Sequence, residues 1–476
     1  MEAHELHVLM VSLPYQGHIN PMLRLANLLI TSGIHVTMAT TEVARHRLSS
    51  RNITSTTGNP NPPENPNQEL LEFEFFADGL NADEDRDKNL GVLLEEYLPT
   101  KGAGNLSDLI SDFGKKGRGF SCMIVNCFVP WAVDVAAAHG IPCAMLWVQA
   151  CALYAIYYRY HKGMGEFPSL DDASNSVELP GLPLLKVQDL PTFLLPSGPP
   201  HFKNVVAACI HSLDKIRWVL GSSFHKLEED VVKSMSHLKP IHPIGPLVPP
   251  ILLGKLDRIS GAGDFWDSED SCIEWLSTQR PSSVLYISLG SISVLSESET
   301  KAVAAALETT KAAFLWVVKK REDGWGRRSG ELPEGFLERT KDRGRVVRWC
   351  PQDRVLMSGA VGCFLTHCGW NSTLETVAAG VPVIAFPDWT DQPTNAKLLV
   401  DVFGMGVRMR RGMDGRLSEE EVERCIFEVT EGPMAMAMKK KAVEWKEAAM
   451  KASACGGSSD LVTANFIGEI SAINKI

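Results

Sequence analysis

A histidine, an asparagine and a serine stand close together in Thr366-His367-Cys368-Gly369-Trp370-Asn371-Ser372. There an apolar run gives way to a glycine and then to a helical pattern. The first N–H groups of a helix have no internal partner, and the helix dipole makes that end positive. A phosphate is held there by local donors, and His367, Asn371 and Ser372 add side-chain donors. Trp349 lies upstream and an Asp391-Gln392 pair downstream. A ring platform, anion donors and paired polar groups suit a nucleotide joined to a sugar. A second histidine, His18, follows Gly17 in Pro14-Tyr15-Gln16-Gly17-His18, also between an apolar run and a helical one. An imidazole titrates near neutrality and can take a proton from a hydroxyl. Taken singly, such a histidine reads as readily as an ordinary turn residue or a helix cap.

The elements that must carry these groups repeat in two halves. Val8 to Leu13 reads as a buried strand, Met22 to Leu29 as a helix ending near Gly33, and Ile34 to Ala39 as the next strand. That is a βαβ unit, which implies a parallel sheet. Cys122–Val125 and Cys143–Val148 continue it, with a helix at Trp131–Ala138 between them. In the second half, strands are expected at Val284–Ser288, Phe314–Val318, Val346-Val347, Gly362–Thr366 and Val381–Phe386. Helices are expected at Ala302–Thr309 and Ser372–Ala379. The fold class is therefore α/β, with two doubly wound, Rossmann-like domains facing across a cleft. Ligands in such sheets bind beyond the carboxyl ends of the strands, where His18 and His367 both fall.

The expected division is a first domain over 1–245, a linker over 246–270, a second domain over 271–455 and a terminal helix over 456–476. Pro243-Ile244-Gly245-Pro246-Leu247-Val248-Pro249-Pro250 favours an extended connection. Asn59 to Gln68, rich in Pro and Asn, reads as a surface loop.

A chain of 476 residues with 45% hydrophobic and 22% charged content reads as a soluble globular protein of about two domains. Its net charge of −10 argues against a nucleic-acid partner. Glu2 and Glu5 precede a short apolar run, unlike a signal peptide, and no apolar stretch is long enough to span a bilayer. The eleven cysteines are scattered, as expected of free thiols in a reducing cytoplasm. Cys363 and Cys368 flank His367 without a second ligand pair, so zinc is not expected. Asp83-Glu84-Asp85 and Asp85-Arg86-Asp87 spell an Asp-x-Asp, but in an acidic run that reads as a solvated loop.

The whole stretch from Trp349 to Gln392, WCPQDRVLMSGAVGCFLTHCGWNSTLETVAAGVPVIAFPDWTDQ, resembles the signature box of plant family 1 glycosyltransferases, which use UDP-sugars. The rest of the chain is similar to the same family. The resemblance implies a GT-B fold, with the acceptor in the first domain, the UDP-sugar in the second and the tail crossing back onto the first. It implies that Trp349 stacks on uracil while the Cys350 backbone reads its edge. Gln352 and Glu375 would bond the ribose hydroxyls. Ser291, His367, Asn371 and Ser372 would hold the pyrophosphate at the Gly369 turn. Trp370, Asp391 and Gln392 would face the hexose. Alone, Trp349 and Trp370 read as core packing and Glu375 as a solvated helix face, but these readings do not explain the whole box. The spacing of Asn371 and Glu375 puts both on one helix face.

Gly17-His18-Ile19-Asn20-Pro21 resembles the family's catalytic turn, which makes His18 the base. The family's usual partner is an Asp; the matching residue here is Asn126, which can orient the ring but cannot neutralise its charge. Phe128, Gln149, Asp388 and Trp389 are expected on the acceptor side. Asp388 and Thr390 depart from the commoner pattern, and Asp388 reads either as an aid to deprotonation or as a solvent-facing side chain.

Pro142 to Cys151 and Leu399 to Phe403 resemble the branch that makes glucose esters of phenolic acids. Members of that branch also glycosylate flavonoid hydroxyls and aromatic carbons. The implied function is inverting transfer of glucose from UDP-glucose, a co-substrate, to an aromatic acceptor, giving a β-glucoside or a glucose ester. No cofactor, metal or membrane insertion is expected, and the protein is expected to be a cytoplasmic monomer. An aromatic C-glucosyltransferase and a catalytically weak binding protein are the alternatives. A nucleotide-sugar oxidoreductase would need G-x-G-x-x-G after the first strand, which Pro14–His18 does not supply.

Overall fold

Val8-Leu9-Met10-Val11 and Cys122-Met123-Ile124-Val125 are buried at every position. Uninterrupted apolar runs of this kind suit strands covered on both faces, as in a parallel sheet between helices. The computed structural model contains two such sheets. The first takes β1 (His7–Val11), β2 (His35–Thr41), β3 (Leu71–Phe76), β4 (Cys122–Asn126) and β5 (Cys143–Trp147). A short antiparallel pair, β6 (Ser176–Val177) and β7 (Leu185–Lys186), stands apart. Strands β8 (Trp218–Gly221) and β9 (Ile241–Pro243) complete the sheet in the order β3-β2-β1-β4-β5-β8-β9, all parallel.

The second sheet uses β10 (Val284–Ser288), β11 (Ala313–Val317), β12 (Gly344–Val347), β13 (Val361–Thr366), β14 (Val383–Ala385) and β15 (Gly406–Arg408). Its order is β12-β11-β10-β13-β14-β15, again all parallel. The expected α/β class with two doubly wound sheets is the one observed. Strand order reverses between β1 and β4 and between β10 and β13, and crevices at such reversals hold ligands.

The structure describes residues 5–49, 70–81, 84, 86, 89–172, 174–255, 270–319 and 330–474. Asn59–Gln68, Asp83, Asp85, Asp87 and residues 256–269 of the expected linker lie outside the described residues.

Two details of the helices shape the cleft. The helix Gln16–Thr31 buries Met22, Leu25, Ala26 and Leu29, and also Arg24. It contains Pro21, which has no N–H to offer the Gly17 carbonyl one turn earlier. Asn371 of the second half fills that gap, its Nδ2 donating to Gly17 O at 3.1 Å. The last helix, Ser458–Ile473, lies against the first sheet. Trp218 Nε1 donates to Glu469 at 2.7 Å, and the Trp218 and Phe466 rings meet edge-on at 5.4 Å. Burial of a ring such as Phe466 contributes roughly 1.5–3 kcal/mol, which helps to hold the tail there.

Candidate active site

His18 lies in the first turn of the helix that follows β1, and Asn126 is the last residue of β4, so the first strand reversal brings them together. His18 Nδ1 lies 3.1 Å from Asn126 Oδ1. The same oxygen accepts the Phe128 backbone N–H at 3.0 Å, which fixes the orientation of the amide. An amide oxygen only accepts, so the neutral imidazole carries its proton on Nδ1 and leaves the Nε2 lone pair for a substrate. Burial lowers the His18 pKa to about 4, against a smaller upward pull from Asn126. The ring is therefore neutral at physiological pH, but a weak base. Asn126 is fully buried, and its Nδ2 has no partner among the described residues.

Aromatic rings continue from this pair. Phe128 meets His18 edge-on at 4.8 Å, and Phe193 lies 6.5 Å from Phe128. Phe193 stacks on Phe202 at 4.6 Å, and Trp389 closes on both from the second half at 6.2 and 5.9 Å. Phe128 and Trp389 were expected from the sequence; Phe193 and Phe202 were not, because nothing local distinguishes them from core phenylalanines. Gln149 is buried beyond the end of β5, and its Oε1 has no partner among the described residues. Asp388 is half-buried rather than wholly solvent-facing.

At the other reversal His367 follows β13 and faces Gly290, which follows β10. Gly290 has φ +73°, and a Cβ there would lie 2.4 Å from the imidazole; one on Gly369 would lie 2.5 Å from it. Two missing side chains thus make the slot for the ring. Burial, and then the charge of Lys319, lower the His367 pKa to about 3, and its Nδ1 has no partner among the described residues. Cys368 turns the chain at φ +66°, a left-handed conformation that costs a non-glycine residue roughly 1–2 kcal/mol. The helix Trp370–Ala379 then starts at Gly369 with no side-chain cap. Ser291, after Gly290, is half-buried beside this turn.

Beneath the turn runs a polar chain. Tyr286 OH donates to Gln352 Oε1 at 3.1 Å. Gln352 Nε2 donates to Ser372 Oγ at 2.9 Å and to Glu375 Oε2 at 2.8 Å. Glu375 is buried, not on a solvated face, and burial raises its pKa while Arg24 opposes the rise. Lys319 Nζ sits 4.9 Å over the Trp349 ring, and Cys350 Sγ lies 3.4 Å from Tyr286 OH.

Two residues of the box take partners from the other half. Trp370 is buried, and its indole Nε1 donates to Ser222 O at 2.6 Å. Its ring is packed between the halves, and a carbonyl beyond the end of β8 takes its only polar side-chain atom. Asn371 gives one Nδ2 hydrogen to Gly17 O and keeps the second as a donor, while its Oδ1 has no partner among the described residues.

The Asp391-Gln392 pair is buried. Asp391 accepts from Thr390 Oγ1 at 2.5 Å and from Asn395 Nδ2 at 2.8 Å, and burial raises its pKa. Gln392 Oε1 takes the backbone N–H groups of Asp388 and Trp389 at 2.9 and 3.2 Å, so its amide nitrogen remains the donor end. Thr390, at φ +58°, exchanges bonds with Thr192 of the first half: Thr192 N–H to Thr390 O at 2.9 Å, and Thr390 N–H to Thr192 Oγ1 at 2.8 Å.

Residues 269–443 match the family described as UDP-glucoronosyl and UDP-glucosyl transferase. Over 98% of both chains the protein is 46% identical to UDP-glycosyltransferase 84B1 of Arabidopsis thaliana. The chain belongs to the plant family 1 UDP-glycosyltransferases. It is 41% identical to a gallate 1-beta-glucosyltransferase of Quercus robur, over 98% of this chain and 90% of that one. It is 40% identical to a cinnamate beta-D-glucosyltransferase of Fragaria ananassa, over 98% and 83%. Within the UDP-glycosyltransferases it stands in the branch that holds these enzymes. Its fold matches Os79 from O. sativa in complex with UDP, with a TM-score of 0.83 and 31% identity over 97% of this chain and 100% of that one. Among the described residues of this glycosyltransferase no helix is long and apolar enough to cross a membrane.

Proposed function

We propose that this UDP-glycosyltransferase transfers glucose from UDP-glucose to the carboxylate of an aromatic acid and releases a 1-β-glucose ester and UDP. The observation that carries this reading is the bond from His18 to Asn126 in place of a carboxylate. With a pKa near 4, the imidazole is a poor match for a phenol of pKa about 10. An acceptor carboxylate with pKa near 4 is already ionised at neutral pH and needs no base. Asn126 also puts an amide N–H where an aspartate would set a repelling charge. The run of rings from Phe128 to Trp389 suits a planar aromatic body. Gallate and cinnamate are named for the related enzymes of Quercus robur and Fragaria ananassa.

In this reaction a carboxylate oxygen attacks C1 of glucose as the C1–O bond to UDP breaks, so configuration inverts and no proton has to move. The uncapped helix at Gly369 receives the pyrophosphate charge. Trp349 carries the uracil ring, Glu375 and Gln352 the ribose, and the Asp391-Gln392 turn the hexose. Much of the rate comes from holding the two reactants in line across the cleft. The test is to offer a single hydroxybenzoic acid, which has both a carboxyl and a phenol, and to identify the product. Ester should dominate. A phenolic glucoside as the main product would overturn the assignment, and a C-glucoside would establish the alternative chemistry.

A further inference from the structure

Arg24 is a guanidinium in an otherwise apolar stripe, buried six residues after His18 on the same helix. Its Nη1 donates to Leu247 O at 2.8 Å, in the segment between the two sheets. Its Nη2 crosses to the second half and donates to Glu375 Oε1 at 3.0 Å, both side chains being about nine-tenths buried. The other Glu375 oxygen belongs to Gln352. One connected chain therefore runs from the His18 helix through Arg24, Glu375 and Gln352 to Tyr286 on β10. A buried charge pair adds little stability over well-packed apolar residues, whereas one buried charge without its partner is costly. The arrangement calls for a role other than stability.

We propose that Arg24 is a positioning residue for the donor: it pairs with Glu375 and aims it, so that UDP-sugar recognition in one half depends on the helix that carries His18 in the other. The proposal rests on the reading that Glu375 and Gln352 bind the ribose hydroxyls. A carboxylate can accept two hydroxyl protons, while a protonated carboxyl loses part of that capacity. Around Glu375, burial favours the protonated form and Asp353 adds to this, whereas Arg24 and the Gln352 amide favour the ionised form. Of these, Arg24 is the positive charge. Without it the Glu375 pKa rises further, and donor binding weakens as pH falls from alkaline values through neutrality.

The experiment measures KM for UDP-glucose and the affinity for UDP between about pH 5.5 and 8.5, a span that brackets the neutral range of a buried carboxyl. The variants are Arg24→Met, Arg24→Lys and Glu375→Gln. Wild type should show the weaker pH dependence of donor KM. Arg24→Met should raise it roughly tenfold, within the range of coupled contacts, and make it climb as pH falls, with kcat at saturating donor less affected. Arg24→Lys should restore the wild-type profile, because it restores the charge. In a Glu375→Gln background, Arg24→Met should add no pH dependence. A wild-type donor profile in Arg24→Met overturns the proposal, as does a uniform rise in KM that Arg24→Lys does not rescue. If Arg24→Met fails to fold, Arg24→Gln is read on the same curve. If Glu375→Gln alone leaves donor KM unchanged, it is the ribose reading that fails, and the Arg24 proposal falls with it.

Discussion

His18 follows the first strand of one sheet and His367 the fourth strand of the other, each at a crevice where strand order reverses. Across the first crevice stands Asn126, whose Oδ1 accepts a hydrogen bond from the imidazole Nδ1–H and leaves the Nε2 lone pair free of it. Across the second stands Gly290, which gives the ring no partner, only space. Both rings are neutral because both are buried, with pKa values near 4 and 3. One is held by a hydrogen bond, and the other is held by shape beside an uncapped helix end. In the proposed function the same topology thus offers the acceptor a lone pair on one side and the pyrophosphate a set of donors on the other. The sides differ in what they tolerate: a Cβ on Gly17 meets nothing within 4 Å, whereas one on Gly290 strikes the imidazole.

The sharpest break of that comparison is Gly290→Ala. Overpacking costs about 1–3 kcal/mol, and a side chain at a left-handed φ adds roughly 1–2 kcal/mol. Relief requires the His367 ring to leave its slot, so UDP affinity should fall by about 10²-fold or more. Gly17→Ala should leave UDP affinity and melting temperature near wild type. Calorimetric titration of UDP into both variants checks the pair. Equal losses in the two would mean that the slot around His367 has no special role.

His18→Ala comes next and depends on the acceptor. Transfer to a phenol should drop by about 10²-fold or more, the usual worth of general base catalysis. Transfer to a carboxylate should fall only slightly, with UDP affinity unchanged in both cases. The pH profile sharpens this. His18 is in its base form above about pH 4, so wild-type phenol transfer should show no loss near pH 6.5, where an unperturbed histidine would titrate, and should fall only on approach to pH 4. Strong dependence of ester formation on His18 would contradict the proposed acceptor.

Asn126→Asp turns the hydrogen-bonded crevice into a charged one. A carboxylate beside the ring favours imidazolium, raises the His18 pKa and moves the acid limb upward. Phenol transfer should rise several-fold at pH 8, while ester formation falls because the new charge repels the acceptor. The ratio of the two products from one hydroxycinnamic acid reports both effects. A ratio that does not move would show that Asn126 touches neither His18 nor the acceptor.

Much of this was legible in the sequence where the physics is local. β1, β4, β5 and β10 are short apolar runs closed by turns, and buried parallel strands look like that wherever they occur. The strands of the two large sheets that were missed, β3, β8, β9 and β15, either interleave glutamates with phenylalanines, as in Leu71–Phe76, or are only three or four residues long. Their place in a sheet comes from neighbours rather than from their own pattern. The chemical groups of the site also sit in continuous motifs, which spacing and resemblance could find. Their partners do not. Arg24 reaches Glu375 and Trp370 reaches Ser222 only because two sheets dock. The one local signal was a charged residue inside the apolar stripe Met22 to Leu29, which has to find a buried partner.

The smallest effect expected separates packing from recognition in the second crevice. Trp370 begins the helix proposed to receive the pyrophosphate, and its indole is buried and bonded to Ser222 O. Trp370→Phe keeps a large ring between the halves and removes one hydrogen bond. The variant leaves the Ser222 carbonyl without that donor, at a net cost of about 1 kcal/mol, plus a little for the smaller ring. That should appear as a drop of about 1 °C in melting temperature if the whole chain unfolds as one unit, and of about 2–4 °C if a half of roughly 200 residues unfolds alone. KM for UDP-glucose and the preference for UDP-glucose over UDP-xylose or UDP-galactose should stay within about twofold, less than 1 kcal/mol. A clear loss of sugar discrimination with an unchanged melting temperature would overturn this packing role. It would put the indole against the hexose after all, and the contact with Ser222 would then be one that donor binding exchanges.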